Sequence, residues 1–295
     1  MLGRPRISIV VPLQEHLCFD QMLVALAQQE GVGHGEVEIV AVDGLYLRDW
    51  PALLEDIRKQ YPALSLTFLQ IERTRSRARQ LNVGIDLANA DLLLLLADDF
   101  IPRANLVSEH LKTHEEDPRE ELVAIGPGLF PEGDKSNAFM RWLEDSGELF
   151  GVSFTRPAAA LPPYYFYMAN TSLKRSFLEK AGRFDESFPY DAMDDWEMGN
   201  RLRALGMKSV YLPGAIAMHE HIIDLPERCR AMEQAGESSA IYDSKRQRPG
   251  PWVHLLEQPR VKHSVRKRES REQRYRRILR EHWVKGYRSY QQAAQ

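Results

Sequence analysis

Residues 91–102 read DLLLLLADDFIP, five consecutive leucines followed within two positions by the paired acids Asp98 and Asp99. The run is far shorter than the roughly 20 apolar residues that span a bilayer. A short continuous apolar run suits a strand buried on both faces of a sheet. Burying either carboxylate unpaired is costly, so the acids belong where the strand leaves the core. In open α/β sheets that carboxyl end is where ligands bind. The stretch therefore predicts an internal strand that delivers two acids to a site.

The neighbouring sequence supplies the rest of such a sheet. RISIVVPL (6–13), VEIVAVDG (37–44) and SLTFLQI (65–71) read as strands. LCFDQMLVALAQQE (17–30), WPALLEDIRKQYP (50–62) and RSRARQLNVGIDLANA (75–90) carry helical spacing between them. This β-α alternation predicts a largely parallel sheet flanked by helices. Beyond it, 105–117 reads as a helix, 121–130 as a strand and AFMRWLED as a helix. NTSLKRSFLEKAG reads as strand then helix, 194–206 as a helix and 208–221 as a strand. The proline- and tyrosine-rich stretch 154–168 is a candidate lid or acceptor wall.

The chain has 295 residues, 43% hydrophobic and 27% charged, which fits one large domain with an extension and not a disordered chain. Cys18 and Cys229 form no disulfide framework and fit a reducing compartment. The N-terminal residues lack a signal-peptide pattern. Together these features predict a cytoplasmic protein. The net charge of −3 is uneven: 15 Lys and Arg against 4 Asp and Glu lie in 245–288, on an otherwise acidic chain. A basic tail of this kind suggests a partner of its own, and the acidic body argues against nucleic acid.

Four clusters lie at the ends of predicted elements: Asp43, Asp98/Asp99, Asp194/Asp195 and His219/His221. Taken singly, Asp43 is a turn residue, Asp194 a helix-start acid favoured by the dipole, and His219 a satisfied polar residue. Parallel strands bring their carboxyl ends to one rim, and convergence there changes the reading. Asp99 with His219 offers oxygen and imidazole, a donor pair for Mn²⁺, or for Mg²⁺ through oxygen, with a substrate diphosphate completing the shell. A further carboxylate across the site could act as a general base.

Several segments, in order and spacing, resemble one known family. They are ISIVVPLQE, VEIVAVDG, RARQLNVGIDLANADLLLLLADDFIP, and the stretch from Asn170 to His221 with its Gly-Arg-Phe-Asp-Glu, Asp-Asp-Trp and terminal His. Over roughly residues 6–222 the chain resembles family 2 glycosyltransferases of the GT-A fold. The resemblance implies an α/β catalytic domain (1–222) followed by a basic helical extension (223–295). It also implies an inverting, metal-dependent transferase of hexosyl or N-acetylhexosaminyl groups from a nucleotide sugar, most often UDP-linked. The implied acceptor is a surface glycan or lipid-linked glycan.

Residue by residue, the resemblance places Pro12 to Glu15 and Asp43 along the base and ribose. Arg77 and Arg79 go near the uridine or its phosphates, Asp98 by the ribose or sugar, and Asp99 and His219 on Mn²⁺ or Mg²⁺. Asp195 becomes the base with Asp194 beside it, and Asn170 and Trp196 lie on the acceptor side. The pattern departs from the family at Ala97, where an acid is usual, and in having Asp-Asp for Glu-Asp. The alternatives are a nucleotidyltransferase, which would need a glycine-rich basic loop absent here, and a non-catalytic nucleotide-sugar or glycan binder with a decayed site.

The stripe Tyr275, Ile278, Leu279, Trp283, Tyr287 and Tyr290, surrounded by arginines, allows two readings. It can form a peripheral membrane contact through 265–290 at the inner face of a bilayer, or it can pack on the protein itself.

Overall fold

The computed structural model describes residues 4–15, 18–33, 35–149, 166–246, 250, 252, 255–256 and 269–293. Residues 154–165 of the expected lid or acceptor wall and the start of the 265–290 segment lie outside these residues.

The leucine run is strand β4 (Leu92–Leu96), and every residue of it is buried. It lies in a seven-stranded sheet with β1 (Ile7–Leu13), β2 (Val37–Asp43), β3 (Ser65–Gln70), β6 (Leu122–Ile125), β8 (Asn170–Lys174) and β9 (Lys208–Tyr211). The strand order is β3-β2-β1-β4-β8-β6-β9, and β8 alone runs antiparallel to its neighbours.

Both faces of this sheet are covered, which explains why β1 and β4 show no alternation. Leu92, Leu94 and Leu96 join Ile7, Ile9 and Val11 against helices α1 (Phe19–Ala27), α2 (Trp50–Gln60) and α4 (Leu106–Glu116). Leu93 and Leu95 point the other way, with Val10, Val40 and Val42. There they meet α3 (Arg77–Leu87), α6 (Arg175–Ala181) and α7 (Asp194–Ala204). Alternate residues of a strand face opposite sides, so a strand between two helical layers is apolar on both, except where a polar side chain has a buried partner, as Ser8 of β1 has in Glu38.

Two expected strands are each divided between sheets. The stretch 121–130 gives β6 and then β7 (Gly128–Leu129), and 208–221 gives β9 and then β10 (Ala217–His219). β7 and β10 join β5 (Phe100–Pro102) in a second, three-stranded sheet ordered β5-β10-β7. Pro127 and Pro213 stand at the crossings, and a proline cannot continue a hydrogen-bonded ladder. Asn170, at the start of β8, pins both crossings: its Nδ2 donates to Ala215 O at 2.8 Å and to Pro127 O at 3.3 Å.

The C-terminal part forms a helical pair, α8 (Leu225–Arg246) and α9 (Arg271–Ala293), with α5 (Ala138–Ser146) against them. On α9, Leu279, Trp283 and Tyr287 are buried, and Tyr275 and Ile278 pack with Phe139, Trp142 and Cys229. The aromatic stripe is therefore covered by protein, which removes the apolar face that the membrane reading required. Among the described residues no helix is long and apolar enough to cross a membrane.

The two helices meet through glycine. A Cβ on Gly236 would lie 2.0 Å from Trp283 O, and one on Gly286 would lie 1.9 Å from Glu233 O. Gly286→Ala should force the helices apart and cost about 1–3 kcal/mol, the usual range for overpacking. A urea midpoint unchanged from wild type would refute the close crossing.

Candidate active site

The second sheet builds one wall of the site. Antiparallel pairing sets His219 opposite Phe100, beside Asp99 at the end of β4. His219 Nε2 lies 2.8 Å from Asp99 Oδ2, and its ring sits between Phe100 and Phe130, with centroids 5.0 and 5.1 Å away. His221, two residues on, brings Nδ1 to 3.9 Å from the same oxygen. Asp99, His219 and His221 thus offer ligand atoms that all lie within 4.8 Å of one another. Ligands at bonds of about 2.1 Å are separated by about 3–4 Å, so small side-chain rotations let one ion engage all three. Two imidazoles and one carboxylate suit a transition-metal dication such as Mn²⁺. Mg²⁺ prefers all-oxygen shells, so the expectation of Mg²⁺ is not supported.

Asp98 is buried beside this cluster. Its Oδ2 accepts from the Gln14 backbone N–H at 2.9 Å. Burial, and then the charge of Asp99, push its carboxyl well above the ordinary carboxylate range.

The opposite wall is the N-terminus of α7. Met193 enters it at a positive φ of 74°, and Asp194, Asp195 and Glu197 occupy the first turn, where the helix dipole favours anions. The two aspartates differ sharply. Asp194 is fully buried and holds Arg77 in a two-pronged pair, Nε donating to Oδ2 at 3.0 Å and Nη2 to Oδ1. Asp195 keeps 27% of its side chain exposed and lies 3.8 Å from Arg77 Nη2. Burial raises the Asp195 carboxyl, Arg77 pulls it back, and Asp194 raises it again, leaving it pushed up to about 6. Burial lowers the Arg77 guanidinium, but the charge and hydrogen bonds of Asp194, with Asp195, hold it above its ordinary value.

Both walls face one groove of about 590 Å³ at the carboxyl ends of the parallel strands. Pro12, Glu15, Arg77, Asp98, Asp99, Asp195 and His219 all line it, so the structure brings these residues together. Asp194 stands behind the rim, bonded to Arg77.

Four expected site residues are placed elsewhere. Asp43 organises its own turn, accepting from the Leu45 and Tyr46 N–H groups at 2.8 and 3.0 Å and from Gln70 Nε2 at 3.1 Å. Arg79 turns outward to Glu72. Asn170 is wholly buried with both polar atoms bonded inside the fold, which corrects the acceptor contact expected of it. Trp196 packs edge-to-face on Trp252, centroids 6.0 Å apart, and is not among the residues lining the groove.

Other lining residues were not foreseen. Glu227, Arg228, Arg230 and Gln234 of α8 line the groove, as do Tyr190 and Asp191. The expected boundary at 222 set α8 apart from the site, and its polar face carries no local motif that ties it to the groove. His221 had a readable signal: in extended chain, residues i and i+2 face the same side.

No family model matches the chain. It is 22% identical over 265 residues to the uncharacterized glycosyltransferase YfnE of Bacillus subtilis, a match covering 76% of this chain and 66% of that protein. The chain thus spans just under two thirds of that relative's length. Among solved structures, the mannosyltransferase PcManGT from Pyrobaculum calidifontis, in complex with GDP-Man and Mn²⁺, superposes with a TM-score of 0.60 at 15% identity. That superposition covers 99% of this chain and 75% of that one. S. aureus TarS 1–349 superposes at 0.59 with 13% identity, covering 98% and 92%, and its complex with UDP-GlcNAc superposes at 0.58. At these identities the likeness is one of architecture: the chain has the GT-A fold, a mostly parallel central sheet between helices with a C-terminal helical pair.

Proposed function

We propose that this protein is a glycosyltransferase that moves a sugar from a nucleotide sugar to an acceptor hydroxyl with inversion. The observation that carries this reading is the pairing, across one groove, of Asp99, His219 and His221 with a partly exposed carboxylate, Asp195. The fold shared with proteins solved with GDP-Man and Mn²⁺ and with UDP-GlcNAc supports it.

In this reading Pro12 and Glu15 border the nucleoside, and Asp98 approaches the ribose or the transferred sugar. Asp99, His219 and His221 hold Mn²⁺, which when bound supplies positive charge to a diphosphate leaving group. Asp195 accepts the proton of the acceptor hydroxyl, whose oxygen attacks the anomeric carbon from the face opposite the diphosphate. Asp194 does not take that proton, because both of its oxygens hold Arg77. Arg77 in turn limits how far burial can raise Asp195. The transferred group is a hexosyl or N-acetylhexosaminyl unit from a UDP-linked donor, and the acceptor is a glycan or lipid-linked glycan.

Thermal unfolding with UDP or GDP, each with Mn²⁺ or with chelator, tests the donor site. A nucleotide at 100 times its Kd stabilises by about 2.7 kcal/mol. The expected result is a shift with UDP that needs Mn²⁺ and disappears in Asp99→Ala. No shift with either nucleotide in the folded protein overturns the donor-site assignment.

A further inference from the structure

The turn entering α8 carries a feature that the donor-site reading does not use. Asp224 caps the helix, accepting from the Glu227 backbone N–H at 2.8 Å. With an acid at the cap and Glu three residues later, the sequence Asp-Leu-Pro-Glu has the spacing of a capping box, in which the glutamate side chain normally reaches back to the cap's own N–H. Here it does not. Glu227 Oε1 instead accepts from His221 Nε2 at 2.7 Å. The helix start forgoes the second half of its box, and the carboxylate reaches the His221 ring.

That contact fixes the ring. With Nε2–H donated to Glu227, the neutral imidazole keeps its lone pair on Nδ1, the atom that lies 3.9 Å from Asp99 Oδ2. A carboxylate that takes the second N–H of a liganding histidine sets its tautomer and orientation and raises its basicity. His219 reaches the same oxygen through Nε2 and is held by a different device, the two phenyl rings beside it.

We infer that Glu227 is a positioning residue for the metal centre, which it serves by holding His221 as an Nδ1 ligand. The inference rests on the reading of Asp99, His219 and His221 as a metal site. It has a structural consequence. Glu227 lies in the first turn of α8, the same helix that lines the groove with Arg228, Arg230 and Gln234 and is clasped to α9 through Gly236 and Gly286. The C-terminal helical pair thereby sets the geometry of a ligand at the end of the second sheet.

The test is Mn²⁺ binding to the full chain without nucleotide, followed by electron paramagnetic resonance of the free ion, together with ¹⁵N spectra of the histidine rings in metal-free protein. Wild type should bind Mn²⁺ and lose it in Asp99→Ala, and the His221 ring should be protonated at Nε2. Glu227→Ala should weaken Mn²⁺ about 10–100-fold, the usual cost of losing such a partner. Glu227→Gln, which still offers an oxygen to Nε2–H, should recover part of that loss.

If wild type binds no Mn²⁺, or binds it equally in Asp99→Ala, the metal-site reading itself fails. If Asp99-dependent binding is intact but Glu227→Ala leaves the affinity unchanged, the inference about Glu227 fails alone. The same holds if the His221 proton sits on Nδ1. A variant that melts earlier yet binds Mn²⁺ as wild type assigns Glu227 a purely structural role and also overturns the inference.

Discussion

Asp195→Asn should lower sugar transfer by about 10²–10⁴-fold, the range a positioned general base contributes, with little change in melting temperature. Asn cannot accept the proton, yet it fills the same space at the groove edge. The wild-type pH profile carries a second signature. A base must be ionised, and burial has pushed this carboxyl up to about 6 against the pull of Arg77. So kcat/KM should rise about tenfold per pH unit below pH 6 and level off above it. The rise should vanish in the residual activity of Asp195→Asn. A wild-type rate that is flat between pH 5 and 7 would contradict the assignment of Asp195.

Asp194→Asn should behave differently. It leaves the buried Arg77 guanidinium, only 16% exposed, without its two-pronged partner. Breaking a buried pair from one side costs about 3–5 kcal/mol, so this variant should be read first in a melt and only then in an assay.

The second large effect concerns stability in acid. Beneath the sheet, His110 bonds Ser172 Oγ at 2.8 Å through Nδ1 and Asn170 Oδ1 at 3.0 Å through Nε2. His114 Nε2 bonds the same Ser172 oxygen at 2.9 Å. The chain closes with both rings neutral: each Nε2–H donates, and the serine hydroxyl donates to His110 Nδ1. Burial pulls His110 down to about 4. Burial, then the charges of His110 and Lys174, pull His114 down to about 3, with Ser172 and Asp117 opposing.

Unfolded histidine titrates near 6.5. Below that pH the unfolded chain binds protons that the folded chain refuses, so stability falls as pH falls from about 6.5 toward 4. Each ring contributes a slope of up to about 1.4 kcal/mol per pH unit. Between pH 6.5 and 5 the two together cost about 3 kcal/mol, because the unfolded rings are already half protonated at pH 6.5. Asp195, between about pH 4 and 6, and Asp98, whose carboxyl is also raised, act in the opposite sense and offset part of this loss. Urea unfolding of wild type and His114→Gln at several pH values separates these contributions. The variant should show a shallower acid slope by up to about 1.4 kcal/mol per unit. Equal slopes would mean that His114 is not held neutral in the fold.

Much of the fold can be read from local pattern. A strand covered on both faces is apolar except where a polar side chain finds a buried partner: β4 is all leucine, and β1 and β2 are apolar apart from Ser8 and Glu38, which bond each other, and Asp43 at the end of β2. The acids that end β4 mark the rim because a carboxylate cannot stay inside without a partner. The same logic found Asp195 and His219 at element ends. The division of 121–130 and 208–221 between two sheets was also signalled, by Pro127 and Pro213, but hydrophobicity alone merged each pair into one strand.

The sequence by itself determined the helix and strand periods, the parallel sheet and the residues at its carboxyl rim, because those follow from backbone hydrogen bonding and from the cost of burying charge. Only the tertiary structure decided which neighbour each side chain meets. Asn170 turned inward because two strand crossings left carbonyl groups to satisfy. Trp196 found Trp252 where an acceptor sugar had been expected, and Asp43 found its own turn. The aromatic stripe of α9 defined an apolar face, and α8 and α5 supplied what covers it. The groove wall made by α8 and the pairing of Glu227 with His221 arise from contacts that no local spacing encodes. An amphipathic helix fixes which side is buried and leaves its partner to the rest of the chain.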